Sequence, residues 1–422
     1  MKNYLNMSRT ELALEIDKVR AEYARLKSLG TVLDMTRGKP GFDQMDVSSD
    51  IFDLVGKSTG YKNCEGTDCR NYGGLDGLIE LKYLFSQIMG VDHTQIIVGG
   101  NSSLNMMFDT IAQAMTHGMG GEPWIKQGEI KFLCPAPGYD RHFGILEHFG
   151  IKMIPVKSTK YGPDMDAVEE LIKDSSVKGM WCVPKYSNPE GITYSDETVR
   201  RLATMRPAAA DFRIMWDNAY AIHDLYETGD SLLNIYDECV KNNNEDIVIM
   251  FTSTSKITFP GAGVAAEAAS PKNVALLKER MKYQTIGPDK LNQLRHARMF
   301  PNLDALKAHM KKHAEILRPK FDAVLNELNN QLAGTGIAEW TNPKGGYFIS
   351  LNVKPGCAKR VEELCRDAGL KLTKVGATFP YGLDPNDSNI RIAPSYPSVS
   401  DVQKASVLLA TAVRLAALES LL

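Results

Sequence analysis

The sequence has 422 residues, is 43% hydrophobic and 24% charged, and carries a formal net charge of −2. That length exceeds one small domain and fits two domains, or one large α/β core with an appendage. The near-balance of charge excludes a general attraction to nucleic acid or anionic membrane, and no run of about 18 uncharged apolar residues could span a bilayer.

Cys64 and Cys69 are the only close pair among seven scattered cysteines. No second pair completes a zinc site, so no metal is expected and reduced thiols in a cytoplasmic protein are. Glu11, Glu15 and Asp17 arrive too early for a secretory signal.

Ser8-Arg-Thr-Glu11 is a capping-box signature that opens a helix through about Leu26, closed near Gly30. Leu33 to Pro40 reads as a turn. From about residue 75, helices alternate with short apolar runs at Gln95–Val98, Ile130–Leu133, Met153–Val156, Gly179–Val183, Arg213–Trp216 and Ile247–Met250. That alternation predicts a mostly parallel sheet covered on both faces. After about residue 296 the pattern changes. A long helical segment runs from Asp304 to Leu332, where Pro319 is expected to kink or divide it. A hairpin follows over Ile337–Trp340 and Gly346–Leu351, then a helix, a strand near Ile390–Ile392 and an amphipathic closing helix. The expected fold is α/β. A large domain, 50–295, holds a mostly parallel sheet sandwiched by helices. A smaller α+β domain is built from 1–49 and 296–422.

Lys256 follows the apolar run Ile247–Met250 and the small residues Thr252-Ser-Thr-Ser255. Its amine therefore belongs at the carboxyl edge of a strand, where open α/β sheets bind ligands. A single lysine is ordinarily a solvated surface charge. Two further polar groups alter that expectation, because Asn188 follows the strand ending at Val183 and Asp217 follows the strand ending at Trp216. The spacings, 29 residues from Asn188 to Asp217 and 39 from Asp217 to Lys256, each suffice for a βαβ step. All three groups should share one sheet edge.

The sequence resembles the pyridoxal-phosphate aminotransferases of fold type I, class I/II, over nearly its whole length. The resemblance is carried jointly by Arg37-Gly-Lys-Pro40, Asn71-Tyr-Gly73, Gly100-Asn-Ser-Ser103, Pro137-Gly-Tyr139, Asn188-Pro-Glu-Gly191, Asp217-Asn-Ala-Tyr220, Ser255-Lys256, Gly345-Gly-Tyr-Phe348 and Arg391. The wording around Lys256 is most like a divergent aspartate aminotransferase branch, subgroup Ic.

The resemblance implies pyridoxal 5'-phosphate as cofactor and Lys256 as its Schiff-base amine and proton carrier. It implies that Asp217 pairs with the pyridine nitrogen, where the plainer role would be a helix cap. Asn188 and Tyr220 would donate to the ring oxygen; otherwise they are a turn residue and a core aromatic. Asn101, Ser102 and Ser103 would form an anion site at a helix start, aided by Ser253 and Ser255. Tyr139 would stack on the ring, although Pro135-Ala-Pro-Gly-Tyr139 departs from the family spacing. Tyr72 would reach the phosphate of a neighbouring subunit, which implies a homodimer.

Arg391 would fork onto the substrate α-carboxylate, with Gly38 letting backbone approach it. Arg37, Lys39, Arg70, Lys290 and Arg295 are candidates for a second carboxylate. One family feature is missing: the phosphate-binding arginine eight residues after the lysine is replaced by Val264. A substitute cation is expected, with Lys290 of a neighbouring subunit as the candidate. The implied activity is transfer of an amino group from an amino acid, most of all L-aspartate, to 2-oxoglutarate by a ping-pong route. Alternatives are another amino donor (alanine or an aromatic acid), a lyase on the same cofactor, or a ligand-sensing regulator. The regulator would need a basic DNA-binding segment, and only one helix precedes Gly38.

Overall fold

The computed structural model describes residues 2–422. Its main sheet has eight strands: β1 (Ile96–Val98), β2 (Lys131–Ala136), β3 (Lys152–Thr159), β4 (Gly162–Pro163), β5 (Val177–Cys182), β6 (Arg213–Asp217), β7 (Val248–Ser253) and β8 (Ala265–Ala269). They lie in the order β1-β8-β7-β6-β5-β2-β3-β4. The run β7-β6-β5-β2-β3 is parallel, whereas β8 is antiparallel to both its neighbours.

Residues of β5 to β8 are buried throughout, which is why these strands read as apolar runs with little alternation. Successive side chains still go to opposite faces. Met180 and Cys182 join one core while Trp181 joins the other. The sequence pattern did not predict β8. Ala265-Ala-Glu-Ala-Ala269 lacks the β-branched and aromatic residues that favour strands, and burial between two partners stands in for propensity.

Six helices matter for the site: α1 (Arg9–Ser28), α2 (Ser103–His117), α3 (Asp140–His148), α4 (Lys290–Met299), α5 (Leu303–Leu332) and α6 (Val399–Leu421). The capping box of α1 is present in both directions, between Ser8 Oγ and the Glu11 N–H and between the Glu11 carboxylate and the Ser8 N–H. Helix α5 continues through Pro319 as one element, so the expected division does not occur. Its two ends serve different cores. Leu306 and Met310 pack under the main sheet, whereas Leu317, Phe321, Val324 and Leu328 pack with α1, α6 and a three-stranded antiparallel sheet. That smaller sheet pairs Ala338–Trp340 with Ile349–Val353, and the latter with Asn389–Ile392.

Candidate active site

The carboxyl ends of β5, β6 and β7 are adjacent and parallel, and they deliver the three expected groups to one edge. Asp217 is the last residue of β6 and is buried. Its Oδ2 lies 3.0 Å from His142 Nε2. A carboxylate only accepts, so His142 donates from Nε2. The imidazole is held flat against Trp181, with centroids 4.1 Å apart and planes 9° apart. Oδ1 of Asp217 is buried and has no hydrogen-bond partner among the described residues. Burial of such an oxygen is costly unless something donates to it.

Lys256 follows β7 in a tight turn closed by the Ile257 and Thr258 N–H groups donating to the Thr254 carbonyl. Its Nζ lies 5.0 Å from the centroid of Tyr220 and 6.0 Å from that of Tyr347. Burial lowers the amine's pKa from the ordinary lysine value, while the Asp217 charge opposes the shift. The neutral, nucleophilic form is favoured accordingly. Tyr220 is buried, and that burial raises its hydroxyl pKa, keeping the hydroxyl protonated. Behind it, His223 is buried, and burial followed by the Lys256 charge lowers its pKa.

The anion end is built by β7 meeting the start of α2. Ser253 Oγ donates to Ser255 Oγ at 3.1 Å, and Ser255 Oγ to the Asn101 carbonyl at 3.0 Å. Ser102 makes no side-chain cap to α2, so its hydroxyl is not engaged by the helix. Backbone N–H groups and hydroxyls at a helix start suit a phosphate. Val264 is 1% exposed and exchanges hydrogen bonds with Thr254. That position faces the core, where an arginine would have no room.

Asn188 is buried on the loop after β5, and its Oδ1 accepts from Arg391 Nη1 at 3.1 Å. That contact uses its oxygen, which leaves the amide N–H₂ as the donor of the side chain. Arg391 comes from the last strand of the small sheet, and its guanidinium sits 5.1 Å from the centroid of Phe348. Gly38 packs on that same ring, for a Cβ there would come within 2.3 Å of Phe348 Cζ. Tyr139 begins the turn into α3, with its ring 4.9 Å from His142 in an edge-on arrangement. Burial, with Asp217 next, pushes its hydroxyl pKa up to about 12.

Two expected residues stand apart. Tyr72 is 82% exposed on a surface loop. Lys290 is buried and donates to the Asn71 and Gly73 carbonyls at 2.6 Å each, so it holds that loop. Of the other cations, Arg70 is paired with Asp68 and Lys39 lies over the Tyr396 ring. Asp140, His142 and Thr373 carry no family motif in the sequence. The available signal for His142 was its place one helical turn beyond Tyr139.

The residues present fit pyridoxal phosphate. An unpartnered acid oxygen suits a protonated ring nitrogen, a desolvated amine suits an aldehyde, and the α2 start suits the phosphate. A ring with those three features is what this set of partners accepts, and it puts the chain in the class of pyridoxal-phosphate-dependent aminotransferases. A family model described as aspartate amino-transferase matches residues 7–422, and the chain belongs to that family.

Among its relatives, an aspartate aminotransferase of Corynebacterium glutamicum is 45% identical over 405 residues, covering 96% of this chain and 94% of the other. The crystal structure of an aspartate transaminase from that organism superposes with a TM-score of 0.97 at 44% identity, covering 99% of each chain. A Thermus thermophilus α-aminoadipate aminotransferase, complexed with N-(5'-phosphopyridoxyl)-L-leucine, is similar in fold. Its TM-score is 0.73 at 19% identity, with 95% and 96% of the two chains covered.

Proposed function

We propose that this aminotransferase takes the α-amino group from L-aspartate and passes it to 2-oxoglutarate in two half-reactions. The observation that carries the reading is the convergence of Lys256, Asp217, Asn188 and Arg391 on one edge of the sheet. The 45% identical relative named aspartate aminotransferase supports the donor.

When bound, the cofactor supplies an aldehyde for the substrate nitrogen and a ring that accepts electrons from the α-carbon. Asp217 would hold a proton on the ring nitrogen, while His142 fixes its Oδ2. Asn188 and Tyr220 would donate to the ring oxygen. Lys256 Nζ would carry the substrate's α-proton, a task suited to an amine of lowered pKa. Ser102, Ser103, Ser253, Ser255 and the Asn101 backbone would hold the phosphate. Arg391, with Gly38 beside it, orients the α-carboxylate.

Tyr72, exposed on the loop held by Lys290, completes the phosphate site of a second copy, so the working unit is a homodimer. Seven free cysteines support a cytoplasmic setting. The chain divides into a large unit near 50–295 and a small unit from both termini, with α5 belonging to both.

The test is a spectrophotometric comparison of aspartate, alanine, an aromatic and a branched amino acid with 2-oxoglutarate as acceptor. Aspartate is expected to be preferred, and the Lys256→Ala protein should lose both turnover and the visible absorbance of bound cofactor. A preference for another donor would remove the assignment to aspartate. Retained absorbance and turnover in Lys256→Ala would remove the assigned amine.

A further inference from the structure

The guanidinium of Arg391 has a carboxylate partner belonging to the chain itself. Its Nη1 donates to Asp140 Oδ1 at 3.0 Å and to Asn188 Oδ1 at 3.1 Å. Nε and Nη2 approach Thr373 Oγ1 at 3.4 and 3.3 Å. Thr373 Oγ1 in turn donates to the Thr36 carbonyl at 2.6 Å. A guanidinium grips a carboxylate through two neighbouring N–H groups, side-on from Nε and Nη2 or end-on from Nη1 and Nη2. The side-on edge faces Thr373. The end-on edge includes Nη1, both of whose hydrogens are engaged.

The two Nη1 partners differ in their freedom to leave. Asn188 is buried and fixed by its loop, whereas the Asp140 side chain is 34% exposed beside a guanidinium only 7% exposed. Asp140 is also the first residue of α3. A carboxylate released there remains at a helix N-terminus, where the helix dipole favours negative charge. Release is therefore inexpensive, and the same turn carries Tyr139 and His142 onward to Asp217.

We infer that Asp140 is an internal competitor for Arg391, displaced by the substrate α-carboxylate and thereby setting the enzyme's affinity for its amino and oxo acids. The inference rests on the reading of Arg391 as the carboxylate-binding residue. Because the displacement acts before chemistry and on every carboxylate alike, it raises KM without altering preference among substrates.

The test titrates the purified holoenzyme with succinate, a dicarboxylate that cannot react, and follows the cofactor absorbance. Asp140→Asn and Asp140→Ser are expected to lower the succinate Kd and both KM values by about two- to fivefold, as fits loss of a partly exposed ion pair. The relative order of amino donors should not change. Asp140→Ser covers the case in which the asparagine amide still accepts from Nη1. Arg391→Lys serves as the control and should weaken succinate binding. Unchanged or weaker succinate binding in both Asp140 variants, with loss in Arg391→Lys, overturns the competitor and leaves the carboxylate site standing. Undiminished binding in Arg391→Lys removes the carboxylate site and the inference together.

Discussion

One oxygen of Asp217 is tied to His142 and the other has no donor among the described residues. His142 thus aims the acid that must hold a ring proton, and it is itself clamped by Trp181. Replacing His142 with alanine should cost a charge-assisted hydrogen bond, roughly 1.5–3 kcal/mol. If the loss falls on the reacting state, kcat drops by roughly ten- to a hundredfold. His142→Asn, which keeps a donor, should recover part of it, and kinetics on both variants decide the matter. Equal losses in the two would make the imidazole a packing group only. Lys256, Asp217 and Asn188 were legible in the sequence because each closes a strand in an ordered series. His142 and Asp140 were not, since their roles arise from how α3 lies against β6 and against a strand more than two hundred residues away.

Among elements, β8 is the one least like its type. Its central Glu267 is buried, with Thr110 Oγ1 3.4 Å away, and burial pushes the carboxyl pKa up to about 8. The fold therefore binds this proton more tightly than the unfolded chain does. Its contribution to stability is complete below the unfolded value near 4.5 and is lost as pH rises toward 8. Glu267→Gln should remove that slope. Its melting temperature should gain on the wild type between pH 5 and 8 and stay level above, as calorimetry across about that range would show. A constant difference across pH would mean that Glu267 is ionised in the fold. The antiparallel insertion of β8 between β1 and β7 was hidden for a physical reason: alanine-rich strands are made by burial, which local propensity does not report. Helix α5 erred the other way. Its pattern was clear, but Pro319 suggested a kink or a division, and the helix is not divided.

For the molecule as a whole, one buried lysine joins parts from three regions of sequence. Lys320 of α5 is 2% exposed in its side chain and donates to Asp43 Oδ2 and to the Ser395 carbonyl, each at 3.0 Å. Ser395 Oγ donates to the Lys39 carbonyl at 2.9 Å. The stretch holding Gly38 and the stretch following Arg391 are thus tied to one helix. Lys320→Met should destabilise the protein by about 1–3 kcal/mol, the cost of unpaired buried polar groups. It should raise KM for the amino acid more than it lowers cofactor binding, a split that kinetics and absorbance titration can separate. Equal effects on both would mean that the clamp steadies the whole fold and not the carboxylate side. The α/β class was readable from periodicity, but this clamp was not, because a lysine inside a helix looks like a surface charge until its burial is known.

The pairing of α1 with α6 also orders events during synthesis. Arg9 Nη2 donates to the Leu422 carbonyl at 3.1 Å, and Arg414 reaches Glu15 at 2.8 Å. Helix α1 must therefore wait for α6 before its apolar face is covered. At ribosomal speeds of about 5–20 residues per second, that wait is on the order of half a minute. The residues assigned to the cofactor leave the ribosome well before Arg391 does. A growing chain would acquire the means to hold its cofactor before the means to recognise a substrate.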